Sequence, residues 1–158
     1  MNRVMGAAVD STGIAWVDAT RAWLARFPLS ILLLAGRIGV GATFFRAGLL
    51  KYNSFEFAVK LFQDEYRLPL IDAAVAARLA MVQELSIPIL LFLGLATRLA
   101  TIPLLFTIAV IQIFVYPNAY NDHLVWGSIL LLVLTRGPGV FSLDYLIERT
   151  VRRRRTGS

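Results

Sequence analysis

Four apolar runs, at residues 28–50, 73–96, 99–116 and 123–136, constrain this chain more than any other feature. A helix rises about 1.5 Å per residue, so crossing the hydrocarbon of a bilayer takes about 20 residues, and the first three runs approach or exceed that length. The fourth is shorter, with LVWGSILLLVLT as its apolar centre, and is expected to draw residues 120–123 toward the interface. Continuous runs, rather than many alternating segments, argue against a spanning barrel. With 58% hydrophobic residues and a mean hydropathy of +0.68, the chain is too apolar for an ordinary soluble domain. The expected class is an all-α membrane protein built as a four-helix transmembrane bundle.

Charge placement predicts the orientation. Ten of the sixteen basic residues lie in the N-terminal arm, the tight turn at Arg98 and the tail from Arg136. The opposite loops hold Lys51, Lys60 and Arg67 against Glu56, Asp64, Glu65, Asp72 and Asp122. By the positive-inside rule both termini are expected to be cytoplasmic, with loops 51–72 and 117–122 facing outward. Three segments follow: an N-terminal cytoplasmic interfacial segment at 1–27, the transmembrane domain at 28–147 and a basic cytoplasmic tail at 148–158. Residues 1–27 lack the basic start, apolar core and cleavage site of a secretory signal, so no removal is expected.

Amphipathic stretches flank the spans. Trp16, Thr20, Trp23 and Phe27 recur at helical spacing and predict an interfacial helix leading into the first span. Phe55, Val59 and Phe62 predict a second short helix lying over the bundle in the outer loop. In GPGVFSLD, Ser142 is placed to cap a third short amphipathic helix. The formal charge of +6 sits at the flanks of apolar runs and in RRRR, a pattern that points to lipid headgroups and topology rather than nucleic acid.

Inside the spans, Gly36, Gly39, Gly41 and Gly48 of the first helix and DAAVAARLA of the second let two backbones approach closely, so these helices are expected to form the packed centre. Pro88 and Pro103 each remove a helical hydrogen bond and are expected to open a gap between their helices. Counting helical rise from the cytoplasmic ends puts Arg37 at about 13 Å, Glu84 at about 18 Å, and Arg46 and Arg78 at about 27 Å. A charge at the bilayer centre costs about 2.5–3.5 kcal/mol on insertion scales, so Glu84 must face the bundle interior and find a partner, with Arg37 and Arg46 both open to it. Those two arginines are nine residues apart and fall on opposite sides of their helix, so only one can point squarely at Glu84.

Two readings of these charges stand side by side. A buried ion pair can simply hold helices in one arrangement. Alternatively Arg46, Arg78 and Lys51 near the outer leaflet, Glu84 below them and His123 at the start of the fourth span surround an anionic or carbonyl-bearing ligand, the arginines fixing oxygen and Glu84 or His123 moving protons. Trp126 is expected to anchor at the interface, and Gln112 to bond between helices. Cysteine is absent and His123 is the single histidine, which excludes a thiolate nucleophile, a disulfide relay and a Cys/His zinc cluster; no metal site is expected. GRIGVG lies within an apolar helix and is no phosphate loop.

The first helix ending in FFRAGLLK, the ELSIPILLFLGLATR of the second, HLVWG in the fourth and the closing GPGVFSLD together resemble the DoxX family of bacterial four-helix inner-membrane proteins, over about residues 30–147. The resemblance implies a multi-pass protein of the bacterial inner membrane, with Arg46, Lys51, Glu84 and His123 as its residues of interest. It also implies a quinone as ligand, with no covalent cofactor, and a partner oxidoreductase or an oxidative- or metal-stress pathway. The expected function is a quinone-associated subunit or partner of a membrane oxidoreductase. The alternative is a noncatalytic membrane scaffold or accessory factor. A small-solute transporter comes third and would require a homo-oligomer. Without cysteine, direct thiol chemistry has no residue to run on.

Overall fold

The computed structural model describes residues 11–156, and side chains from residue 15 to residue 155. Arg3 and the first ten residues of the expected interfacial segment lie outside the described residues, as do the last two of the tail. Among the described residues the fold is all-helical. The N-terminal helix α1 (Ser11–Ala25) leads through Pro28 into α2 (Leu29–Asn53). Helix α3 (Phe55–Leu61) continues as a π-helical turn, Phe62–Tyr66. Then come α4 (Ala73–Leu93), α5 (Thr97–Val110) with its own π-helical end Ile111–Val115, α6 (Tyr120–Arg136) and α7 (Leu143–Thr156).

Helices α2, α4, α5 and α6 close a four-membered ring, each packing on two neighbours, with the α2/α4 contact the most extensive. This bears out the small-residue expectation for the first two apolar runs. The buried positions of α2 are Leu33, Arg37, Val40, Gly41, Phe44 and Gly48, a single stripe at intervals of three and four. Those of α5, Thr97, Ala100, Thr101, Leu104 and Ile108, follow the same rule. Leu91, Leu104 and Leu130 meet Val40 and Phe44 in one core cluster. The other faces present large apolar side chains outward, including Leu32, Ile38, Leu79, Ile102, Phe106 and Leu131, as lipid requires. Helices α2, α4 and α5 with its π end are each long and apolar enough to cross a membrane.

Helix ends are set locally. The Asp72 carboxylate caps α4 by accepting from the Ala74 and Val75 amides at 2.9 and 3.2 Å. Gly94 ends α4 in the left-handed region at φ 66°. Ser142 accepts from the Tyr145 amide at 3.2 Å and so caps α7 as expected. That helix runs from Leu143 to Thr156 and includes the arginine run. Trp126 departs from expectation: it is half-buried, packs on the core, and meets the Phe44 ring edge-on at 6.0 Å.

The outer-loop helix forms where the Phe55, Val59, Phe62 spacing put it, with Ala58 and Tyr66 completing its inward face against Ala76 and Ala77 of α4. The π turn that ends it packs against the π turn that ends α5. The Tyr116 hydroxyl fastens the two by donating to Glu65 Oε2 at 2.6 Å. That bond, followed by burial, raises the Tyr116 phenol above the usual tyrosine range.

Candidate functional site

Gly48 lets α2 approach α4 so closely that a Cβ there would lie 3.0 Å from the Glu84 carbonyl carbon. Lys51, one turn further along the same face, is thereby brought into range, and its Nζ donates to Glu84 Oε2 at 2.7 Å. The two side chains are 12% and 3% exposed, so the pair is withdrawn from its surroundings. Pro88, four residues beyond Glu84, has no N–H to give the Glu84 carbonyl its ordinary helical bond.

Glu84 lies on a cleft of about 200 Å³ bounded by the first π turn, α4 and the end of α5. Its walls are mainly apolar, and four polar side chains enter it: Tyr66, Gln83, Glu84 and Thr107. Two of these are spent on the scaffold. Gln83 Nε2 donates to the Thr107 hydroxyl and to the Pro103 carbonyl, which also accepts from Thr107. Gln83 thus ties α4 directly to α5 at Pro103, and no gap between the two proline-containing helices separates them there. The other two polar groups are open: Glu84 Oε1 and the Tyr66 hydroxyl make no hydrogen bond among the described residues. Tyr66 is held by stacking on Phe62, ring centroids 4.1 Å apart and 14° from parallel. Burial, reinforced by the negative charge of Glu84, pushes the Tyr66 phenol well above the usual tyrosine range. On the other side of the ion pair, Lys51 lines a groove of about 170 Å³ between α2 and α3.

The structure corrects the expected pairing of Glu84 with Arg37 or Arg46. Gly41 faces Phe92 and Gly48 faces Glu84, so the antiparallel register sets Arg37 beside the Gly94 turn, about 15 Å of helical rise from Glu84. The first three turns of α2 run past the end of α4, and depths counted from the two helix ends were therefore not comparable. Arg37, 1% exposed, donates from Nη2 to the Phe141 carbonyl at 2.6 Å. Arg46 falls on the opposite side of α2, as its spacing required, and is exposed. Arg78 is likewise exposed and lies over the Phe55 ring, 5.5 Å from its centroid. Neither arginine lines the Glu84 cleft.

His123 makes a separate site. Its Nδ1 is 2.6 Å from Gln112 Oε1, and Gln112 Nε2 donates to the Pro117 carbonyl at 2.8 Å. An amide oxygen only accepts, so Nδ1 carries the proton. The expected interhelical role of Gln112 is borne out, and its partner is His123. Of the six residues singled out from sequence, two, Lys51 and Glu84, meet. Tyr66, Gln83 and Thr107 join Glu84 without having been singled out. The surplus of aromatic and polar residues in FQDEY was the available signal, but the π turn that aims Tyr66 inward has no sequence signature. Among the described residues no three of the His, Cys, Asp and Glu side chains gather as a metal would need.

The family profile named DoxX matches residues 32–117, from the first turn of α2 to just past the π end of α5. The chain belongs to the DoxX family. A Haemophilus influenzae protein described as uncharacterized is 32% identical to it over 131 residues, 77% of this chain and 85% of the relative. No solved structure matches. The DoxX match contains the Lys51–Glu84 pair and all four polar residues of its cleft, while His123 falls beyond it. Membership and three apolar helices make this DoxX protein a multi-pass membrane protein.

Proposed function

We propose that this DoxX protein is a quinone-binding subunit or partner of a membrane oxidoreductase, with the head of the quinone in the Glu84 cleft. The reading rests on one observation: an apolar cleft in which one phenol and one carboxylate oxygen are left unbonded. Such a lining suits a flat, mostly apolar ring bearing carbonyl oxygens. Exposed apolar faces on either side suit an isoprenoid tail in lipid. A bound quinone supplies two-electron, two-proton carrier chemistry, its electrons coming from a partner oxidoreductase. Tyr66 donates a hydrogen bond to a carbonyl oxygen. Glu84 holds or passes a proton at Oε1, and Lys51 keeps Oε2 in place while facing the second groove, from which protons are exchanged.

In this reading α6, at 17 residues and about 26 Å, spans as the fourth helix with its ends in the interface. Both termini are cytoplasmic, and α3 and the π turns lie on the outer side of a bacterial inner membrane. Helices α1 and α7 rest on the cytoplasmic interface with Trp16, Trp23, Leu146 and Ile147 in lipid. The test is binding of short-tailed quinones to the purified protein, followed by thermal stability. A saturable rise that is lost in Glu84→Gln and Tyr66→Phe is expected. A rise unchanged in both variants, or none with any quinone, refutes the reading.

A second reading, a noncatalytic scaffold, draws on the direct 2.7 Å contact between Lys51 and Glu84, which is what a purely structural helix tie looks like. It requires the cellular phenotype to survive Glu84→Gln and to be lost on changing exposed side chains such as Phe57.

A further inference from the structure

The α4–α5 and α6–α7 turns and the start of α7 enclose a larger cleft of about 540 Å³. Four charged side chains line it: Arg98, Arg136, Asp144 and Glu148. Both carboxylates are already engaged. Asp144 accepts from the Ala96 amide at 2.7 Å and the Thr97 amide at 2.9 Å, which caps α5 from another helix, and it attracts Arg37 at longer range. Glu148 accepts from Arg152 at 2.6 Å. The arginines are not balanced in this way. Arg98 reaches only the Thr135 carbonyl, at 3.5 Å, and Arg136 makes no hydrogen bond or ion pair among the described residues.

The backbone of the α6–α7 turn lies against one of these arginines. The Arg98 guanidinium lies against Gly137, where a Cβ would sit 3.4 Å from Nη2 and where φ is 83°. A side chain at that position would strain the turn. Two guanidinium groups without an ion-pair partner around a single cleft are the donor set of an oxyanion site.

We infer that this cleft binds the phosphate of an anionic phospholipid, with Arg98 and Arg136 on its oxygens. Lipid is favoured over free phosphate by the surroundings. Leu99 and Val140, 69% and 45% exposed, line the same cleft and give acyl chains an apolar wall. Alongside, α7 presents Leu146, Ile147 and Val151 outward, the face of a helix lying in the headgroup layer. The site shares no residue with the Glu84 cleft, so it stands whether or not a quinone binds there.

The experiment uses the full chain in a zwitterionic detergent, titrated with phosphatidylglycerol, with phosphatidylcholine of the same chains, and with inorganic phosphate. Thermal stability and native mass spectrometry report binding. Phosphatidylglycerol is expected to bind about tenfold or more tightly than phosphatidylcholine, the worth of one charge-assisted contact. Arg98→Gln with Arg136→Gln removes that preference, and Arg154→Gln with Arg155→Gln leaves it in place. Both cleft arginines are exposed, so the paired variant keeps its helicity, which circular dichroism checks. Persistence of the preference in the paired cleft variant overturns the inference. So does its loss in the α7 variant, which would mark a diffuse surface attraction, or equal stabilisation by inorganic phosphate, which would mark an ion site.

Discussion

Replacing Lys51 by methionine keeps the length and apolar stem of the side chain and strands the Glu84 carboxylate, which is 3% exposed. At the observed 2.7 Å the pair attracts by about 6 kcal/mol if the effective dielectric constant is near 20, a value suited to protein sites. Much of that attraction is offset by the cost of withdrawing two charges, so the assembled pair contributes little net stability. Removing one partner is different, because the desolvation of the other remains uncompensated, at about 3–5 kcal/mol. For a chain of this size that corresponds to a fall in Tm of about 6 °C or more. The double variant Lys51→Met with Glu84→Gln removes both charges and is expected to recover most of the loss. Reversible unfolding of all four proteins in one detergent closes the cycle, and a coupling of about 2 kcal/mol or more is expected. Additive single effects, or a Lys51→Met protein as stable as the parent, would refute the view that Glu84 is held by this lysine.

Three further outcomes follow from particular contacts. Gly48→Ala sets a methyl 3.0 Å from the Glu84 backbone and is expected to cost about 1–3 kcal/mol, whereas Gly39→Ala, with nothing within 4 Å, is expected to be neutral or slightly stabilising; thermal unfolding of the two compares them directly. His123→Ala strands the half-buried Gln112 amide oxygen and is expected to cost about 1 kcal/mol, with Gln112→Leu non-additive in the double variant, again read from unfolding. Tyr66 and Tyr116 both ionise above the usual tyrosine range. Their contribution to stability is therefore complete below about pH 10, the unfolded tyrosine value, and is lost as the pH rises through the folded values. Tyrosinate absorbance should show two late-titrating phenols. Tyr116→Phe should remove one of them and flatten the alkaline fall in stability.

The candidate site was only partly legible in the sequence. Lys51 and Glu84 stood out because charges inside apolar runs are conspicuous, but which charge met which depended on a helix offset. Arg37 and Glu84 were close when each helix was measured from its own end; the Gly48 approach places them about 15 Å apart along the helices instead. Tyr66 was overlooked because a π turn changes where a side chain points without changing composition. The apolar periodicity that exposed the outer-loop helix stops being informative once the turn widens.

Length, hydrophobic content and the placement of small residues by themselves determined the helical membrane class, the approximate ends of the long helices and the closeness of α2 to α4. These depend on properties each segment carries alone: its reach across hydrocarbon, its need to satisfy backbone groups internally and its small residues. Tertiary structure alone decided that Lys51 partners Glu84, that Arg37 bonds the Phe141 carbonyl, that His123 meets Gln112 and that Asp144 caps a helix from another part of the chain. Each of these pairs joins residues that different helices deliver. Their meeting depends on the relative shift of those helices along their axes, a quantity set by how side chains interlock and written in no single segment.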